Sequence, residues 1–412
     1  MKPWMRRVIL AATGTAAITI IGLQWTGSAV AQGQTKAPAT PPKAPATPTK
    51  APPTQAKAAP TAAKGQTAGE VFKNVTTDAL KVLSPDDFLA AMGVISDDLG
   101  LDCADCHPGA GTDHVNWVID TPPKRTARKM IAMMASINQA NFNGSQRVTC
   151  WTCHHGRDIP ATTIALDNLY SNPNSERDDV ISVGQGMPTA TQILDKYIAA
   201  VGGAQRLAGL TSYVASGVSV GYEGLGGNGE FTVYAKAPNQ RTTQIRFKEH
   251  PERGESTWTY NGTTGYIVTP RGLLGEFEVT GSGIQGTRLE AMMSFPGQIK
   301  TVLNNWKVGP MESMGPKDYY VLQGSGPQGL LATLYFDVDS SLLVRIIRYT
   351  SSPVGRVATQ VDYSDYRDVG GIKFPFELNF QWLDGRYTAK INDVKVNVAI
   401  DAAKFGKPSA AK

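Results

Sequence analysis

The chain has 412 residues, 41% of them hydrophobic and 18% charged, with a formal net charge of +5. That charge is not spread evenly: Lys2, Arg6 and Arg7 supply +3 at the N-terminus and five lysines between positions 32 and 68 supply +5. Residues 69–160 hold eight Lys/Arg against eleven Asp/Glu, and residues 161–412 balance to zero. A nucleic-acid footprint would need a concentrated basic face, so that class of partner is excluded.

The first element is a leader. Lys2, Arg6 and Arg7 form a positive segment, Val8 to about Leu23 an apolar one, and Ala29-Val30-Ala31 a small-residue cleavage site before Gln32. This pattern predicts a secretory signal peptide over residues 1–31 and a periplasmic location, the stretch being too short and wrongly flanked for a membrane span. Left uncleaved, the leader would tether the protein to a membrane. Residues 32–68 follow, with Lys36, Lys43, Lys50, Lys57 and Lys64 at a seven-residue step among Ala, Pro and Thr. The prolines forbid a continuous helix, so the segment reads as an extended, disordered spacer.

A helical unit is expected over residues 69–165. Ser84-Pro85-Asp86-Asp87 is a helix start, with a Ser cap, Pro at the first position and acids in the first turn. The helix continues through Phe88, Leu89, Met92 and Ile95 and ends at Asp97-Asp98-Leu99-Gly100. Then comes Cys103-Ala104-Asp105-Cys106-His107. A second helix, from about Thr121-Pro122-Pro123 to about Asn141, carries a stripe of Met130, Met133, Met134 and Ile137. It leads to Cys150-Trp151-Thr152-Cys153-His154. Both strings are Cys-x-x-Cys-His, the attachment signal for c-type haem. Two thiols three positions apart bond one porphyrin, and the adjoining His107 or His154 supplies an iron ligand. These four cysteines are the only ones in the chain. Disulfides, expected for exported cysteines, would leave both histidines unexplained. A four-thiolate zinc site would do the same, with its knuckles 47 residues apart. Met92 lies eleven residues before Cys103 and is placed to cross the opposite haem face. Spacing does not choose among Met130, Met133 and Met134 for the second haem. A thioether ligand would raise the reduction potential relative to two histidines. His114 and His155 read as polar neighbours, and His250 as a solvated surface residue. Arg128, Lys129 and Arg157 read as solvated, with haem propionates as their other partner.

The stretch from Val71-Phe72-Lys73-Asn74-Val75 to Arg157 resembles the cytochrome subunit of photosynthetic reaction centres, and more closely its shorter di-haem relatives. The matching elements are Phe88, Met92-Gly93, Leu99-Gly100-Leu101-Asp102-Cys103, Thr126-Ala127-Arg128-Lys129-Met130, Met133, Ile137-Asn138, and Val148-Thr149-Cys150 through His154. The resemblance implies Met92 as axial ligand of the first haem and Met130 of the second. The chain departs from the four-haem family in holding two motifs, in having no His between Met130 and Cys150, and in carrying His155 where Arg is usual. Photosynthesis therefore attaches to it as a family label.

Residues 166–184, with Asp167, Asn168, Pro173 and Asn174, form a polar junction. A second unit over 185–405 opens with a helix at Ala190–Val201 and then alternates as strands at 213–222, 231–236, 241–248, 256–261, 319–323, 333–337, 343–349, 359–366, 376–382 and 387–396. A helix is expected midway at 284–303. Each unit is long enough to bury its own core. The second resembles the periplasmic lipoprotein-carrier fold, whose concave face implies a lipid or acyl ligand.

The expected fold is multidomain: an α-helical multihaem cytochrome c domain, then a mainly antiparallel β (α+β), half-barrel-like domain. The expected function is one-electron transfer by a periplasmic di-haem cytochrome with two covalently bound haem c groups. Periplasmic or membrane redox proteins are its expected partners, and no enzyme activity is expected. The alternatives are a di-haem peroxidase-like enzyme and a redox-sensing or lipid-binding protein acting through the β unit.

Overall fold

Two signals at the ends of one helix organise the N-terminal region. In a computed structural model, Ser84 Oγ accepts from Asp87 N–H (3.2 Å), Pro85 occupies the first helical position, and Gly100 (φ 62°) ends the helix in the left-handed region. The described residues are 65–112, 114–160, 162, 179–221, 228–247, 251, 254–269, 274–383 and 385–408. The leader, nearly all of the 32–68 spacer, most of the 166–184 junction and His250 lie outside them. The helices are α1 (Ala68–Val71), α2 (Asp78–Lys81), α3 (Pro85–Leu99), α4 (Cys103–Cys106), α5 (Pro122–Phe142), α6 (Cys150–His154), α7 (Ala190–Ala200), α8 (Ala204–Ala208) and α9 (Gly283–Met293). Both long helices expected around the attachment motifs are present, α5 starting with Pro122 at its first position.

A large antiparallel sheet makes up the C-terminal half. Its strands are β1 (Ser212–Val220), β2 (Gly229–Lys236), β3 (Gln240–Phe247), β4 (Glu255–Tyr260), β5 (Gly265–Val268), β6 (Glu276–Val279), β7 (Asn304–Val308), β8 (Glu312–Met314), β9 (Lys317–Ser325), β10 (Leu331–Asp337), β11 (Leu343–Ser351), β12 (Arg356–Val369), β13 (Ile372–Trp382) and β14 (Gly385–Val396). The order is β6-β5-β4-β3-β2-β1-β14-β13-β12-β11-β10-β9-β7, with β8 on β9. First and last strands are thus neighbours at the middle, pairing Tyr213 with Val396. All ten expected strands are found; β5, β6, β7 and β8 were not foreseen. Residues of β5 and β11, eight places apart in that order, line one cavity of about 420 Å³. Only a curled sheet brings such distant strands together.

The expected helix at 284–303 stops at Met293. Pro296 follows, and its missing N–H and fixed φ convert the rest to a short 3₁₀ turn (Pro296–Gln298). Phe295, Ile299, Val302 and Leu303 are nonetheless buried. They join the main core with Ile193, Leu194 and Tyr197 of α7, Leu289 and Met292 of α9, and the inward residues of the sheet.

The helical unit does not bury a core of its own, contrary to expectation. Its cluster consists of Leu80, Ala91, Val94, Ile131 and Met134 together with Val354, which is fully buried and belongs to the β11–β12 turn. Val357 of β12 and Leu383 beyond β13 pack around the same cluster. The described residues accordingly all fall in one compact unit. Polar bonds reinforce the junction: Asp86 accepts from Thr280 N–H and Oγ1–H (both 3.3 Å), and Asp87 from Ser282 Oγ–H (2.7 Å). Val354→Ala should destabilise the protein by about 2 kcal/mol, two buried methyl groups plus a cavity, as measured by denaturant unfolding. The exposed control Val180→Ala should change nothing measurable.

Candidate functional site

Four- and five-residue helices do not hold themselves together, so α4 and α6 need external support. In α4, Asp102 accepts from Ala104 N–H (2.7 Å) and Asp105 N–H (3.2 Å), while Asp105 accepts from Asp102 N–H (2.8 Å). In α6, Thr149 N–H donates to Thr152 Oγ1 (3.0 Å). Both are reciprocal capping boxes. Each sets two thiols three residues apart, on one face of a helical turn. None of the four cysteines is in a disulfide, and Cys103 and Cys153 are exposed.

Other elements position the two short helices. Thr121 Oγ1, at the N-cap of α5, donates to the Cys106 carbonyl (3.0 Å). Buried Asn138 of α5 clamps the chain that enters α6, donating to Val148 O (2.7 Å) and accepting from Arg147 and Val148 N–H (3.0 and 2.9 Å). The β11–β12 turn contributes directly: Cys150 N–H donates to Val354 O (3.3 Å), and Gln146 to Ser352 O (2.9 Å). Arg128 bonds Asp120 and Asn74, and Asn74 bonds Val118 O, so this cation holds the loop between α4 and α5.

Asp98, read from sequence only as part of a helix end, is the residue that joins the two halves of the site. It is 7% exposed. Its Oδ2 accepts from Trp151 N–H at the start of α6 (2.9 Å), and its own carbonyl accepts from Gly156 N–H (2.9 Å). The approach is close enough that a Cβ on Gly100 would lie 2.3 Å from Gly156 O. The signal was present: Asp98 follows Ala91 and Val94 at helical spacing on the buried face, and an acid there requires a partner.

The histidines differ in their surroundings. His107 Nδ1 is buried without a hydrogen-bond partner. Burial, and secondarily the Lys124 charge, push its pKa down to about 4, leaving a neutral imidazole with a lone pair to donate. His154 Nδ1 is 2.8 Å from the Arg157 carbonyl, the bond that commonly fixes a ligating imidazole and frees its other nitrogen. His155 (φ 49°) is exposed beside the Trp151 ring, and His114 is exposed. Of the methionines, Met92 is half-buried on α3 and Met134 is 6% exposed in the shared core, while Met130 and Met133 of α5 are 37% and 48% exposed. Trp117, Val118 and Ile119 are likewise exposed after the first motif, and the Trp117 ring lies 4.9 Å from that of His107. Exposed apolar side chains around paired thiols and an unpartnered imidazole suit a flat, apolar, metal-bearing group. The four thiols are not gathered into one cluster, and no group of three or more His, Cys, Asp or Glu is placed for a bare metal ion among the described residues.

Burial raises the Asp98 pKa to about 6, against the opposing bond from Trp151. The folded state therefore keeps a proton between about pH 4 and 6 that the unfolded chain releases, so stability falls as pH rises through that window and is flat above it. The span corresponds to on the order of 3 kcal/mol. Asp98→Asn, which keeps an acceptor for Trp151, should flatten this slope in denaturant titrations made between pH 4 and 7.

Residues 22–194 match a family model described as photosynthetic reaction centre cytochrome C subunit. No curated protein matches the chain. Among solved structures, similar ones include a LolA superfamily protein from Nitrosomonas europaea, with 15% identity and a TM-score of 0.37 over 53% of this chain and 97% of that one. A DUF1329 family protein from Desulfovibrio piger has 13% identity and a TM-score of 0.39 over 53% and 98%. The N-terminal resemblance drawn from Met92, Met130 and the two Cys-x-x-Cys-His strings thus holds: residues 22–194 are similar to the reaction-centre cytochrome C subunit family, which implies covalently bound haem c.

Proposed function

We propose that the protein is a periplasmic di-haem c-type cytochrome that passes single electrons between redox proteins. The observation carrying this reading is the duplication: two capped helical turns, each presenting two cysteines and a histidine. Cys103 and Cys106 would hold one haem c, with His107 and Met92 as the residues that would bind its iron. Cys150 and Cys153 would hold the other, with His154 and Met130. Bound there, haem supplies a one-electron redox couple whose potential follows its ligands and surroundings. The chain contributes imidazoles, thioethers, exclusion of water by Trp117 and its neighbours, and attachment helices held by Asn138, Asp98 and Val354. Electron carriage is favoured over a peroxidase activity because α3 and α5 carry thioether side chains, Met92 and Met130, that would close both irons. The excess of three acidic residues over residues 69–160 favours partners with a cationic face.

The mass of the exported protein, made with haem-maturation machinery, should exceed that of the polypeptide by two haems. Cys103→Ser with Cys106→Ser should remove one, and Cys150→Ser with Cys153→Ser the other. A colourless product of unmodified mass would end this reading. Met92→Ala and Met130→Ala should each abolish a thioether charge-transfer band in the ferric spectrum and lower one midpoint potential. Met133→Ala, on the same side of α5 as Met130, should leave both unchanged.

A further inference from the structure

The two attachment sites repeat one string of residues, but their surroundings differ in a consistent sense. His154 Nδ1 lies 2.8 Å from the Arg157 carbonyl, so with Nε2 on iron this imidazole donates its Nδ1–H to the backbone. His107 Nδ1 is buried and has no hydrogen-bond partner. A bond from Nδ1–H makes the imidazole a more basic ligand, which favours ferric iron. The imidazole that lacks it is the weaker donor and favours ferrous iron.

Charge points the same way. A ferric haem carries one positive charge more than a ferrous one, so a nearby cation resists oxidation and a nearby anion assists it. Lys124 of α5 donates to the Trp117 and Ile119 carbonyls (2.9 and 3.0 Å). That holds its ammonium beside the first site, where its charge acts on both His107 and Cys106. The second site has the reverse arrangement: the buried Asp98 carboxylate receives the Trp151 N–H within the motif (2.9 Å), and its charge acts on Cys150. Charges of the opposite sense are present, Asp102 and Asp105 beside the first site and Arg157 beside the second. All three are exposed, where water and salt screen them. The Trp117 ring, 4.9 Å from that of His107, also shelters the first site from water, which disfavours the charged ferric form.

We propose that the two haem sites differ in electron affinity, the His107 site retaining the electron and the His154 site passing it on. Both irons are assigned the same histidine–methionine pair, so the axial residues do not set this difference; the Nδ1 partner, Lys124 and Asp98 do. One electron moves from the second site to the first, oxidising one iron and reducing the other, with no bond or proton exchanged. The inference rests on the electron-transfer reading. In it Lys124 and Asp98 are positioning residues, acting through their fields rather than by contact.

The test is an equilibrium redox titration followed by absorbance at pH 8, where Asp98 is ionised, on protein whose haems are first counted by mass. A count other than two sinks the electron-transfer reading itself; the titration addresses the difference between sites. Cys103→Ser with Cys106→Ser, and Cys150→Ser with Cys153→Ser, give single-haem proteins that assign each step, without the repulsion between two charged haems that also splits coupled titrations. The His107 site should hold the electron at least about tenfold more tightly, about 59 mV for one electron. Lys124→Gln keeps a hydrogen-bond donor and removes the charge. It should lower the midpoint of the His107 site and leave that of the His154 site in place, while Lys124→Arg should leave both unchanged. If the single-haem proteins do not fold, the wild type still assigns the sites, because the higher of its two steps is the one that Lys124→Gln must lower. In the fully reduced, diamagnetic protein, the Nδ1–H proton of His154 should resonate downfield of that of His107. Equal or reversed affinities overturn the proposal. Unmoved midpoints in two-haem Lys124→Gln protein overturn the role of Lys124, and equal Nδ1–H shifts overturn that of the imidazoles.

Discussion

Everything in the helical unit is referred to the position of α3. The fifteen residues Pro85–Leu99 have three neighbours at once, a core, a cavity and the flank bearing Met92. The helix is fastened at both ends by polar bonds to other parts of the chain. At its start, Asp86 and Asp87 accept from Thr280 and Ser282 beside α9; at its end, Asp98 and Gly100 meet Trp151 and Gly156. Breaking either buried set leaves a carboxylate without its donor, a loss of about 1–3 kcal/mol per group or more. The helix therefore cannot slide or roll independently of the sheet or of α6. Under the proposed function, such a fixed element would hold the geometry between two redox centres.

The same logic explains why a β domain accompanies so short a helical unit. Helices of four and five residues carry all four thiols, and capping boxes alone do not make such turns rigid. Support comes from Asn138 on one side and from the β11–β12 turn on the other, where Val354 O receives the Cys150 N–H while its side chain completes the core beneath. The sheet is in this sense part of what positions the cysteines.

Local signals were well expressed in the sequence, and contacts between distant segments were not. Ser84-Pro85 marked the start of α3, and strict alternation marked ten strands. β5 and β8 have four and three residues, too short for a period of two to stand out, and β7 lies just past a stretch that read as continuing a helix until Pro296 broke it. The two Cys-x-x-Cys-His strings stood out in the sequence because each is local: two thiols and an imidazole within five residues. The roles of Val354 and Asp98 did not, because each depends on a partner from 50 or more residues away. The stripe of three methionines on α5 was ambiguous for a related reason. Burial of Met134 against Val354 and Ile131 removes it from the exposed side, a distinction that needs the β domain in place.

The turn that supplies Val354 is itself preorganised, and this bears on how the two regions come to share a core. Ser352 N–H donates to Gly355 O (2.9 Å), Ser352 Oγ–H to the same carbonyl (2.8 Å), and Gly355 N–H returns a bond to Ser352 Oγ (3.3 Å). Three bonds within four residues fix the tip before it meets the helices, so ordering it on contact requires little further conformational entropy. A floppy tip would lose about 1–2 kcal/mol per residue on docking, comparable to what burial of one valine side chain returns. With the tip rigid, that burial adds to the stability of the junction. This accounts for a helical unit whose core is completed by a hairpin more than 200 residues along the chain.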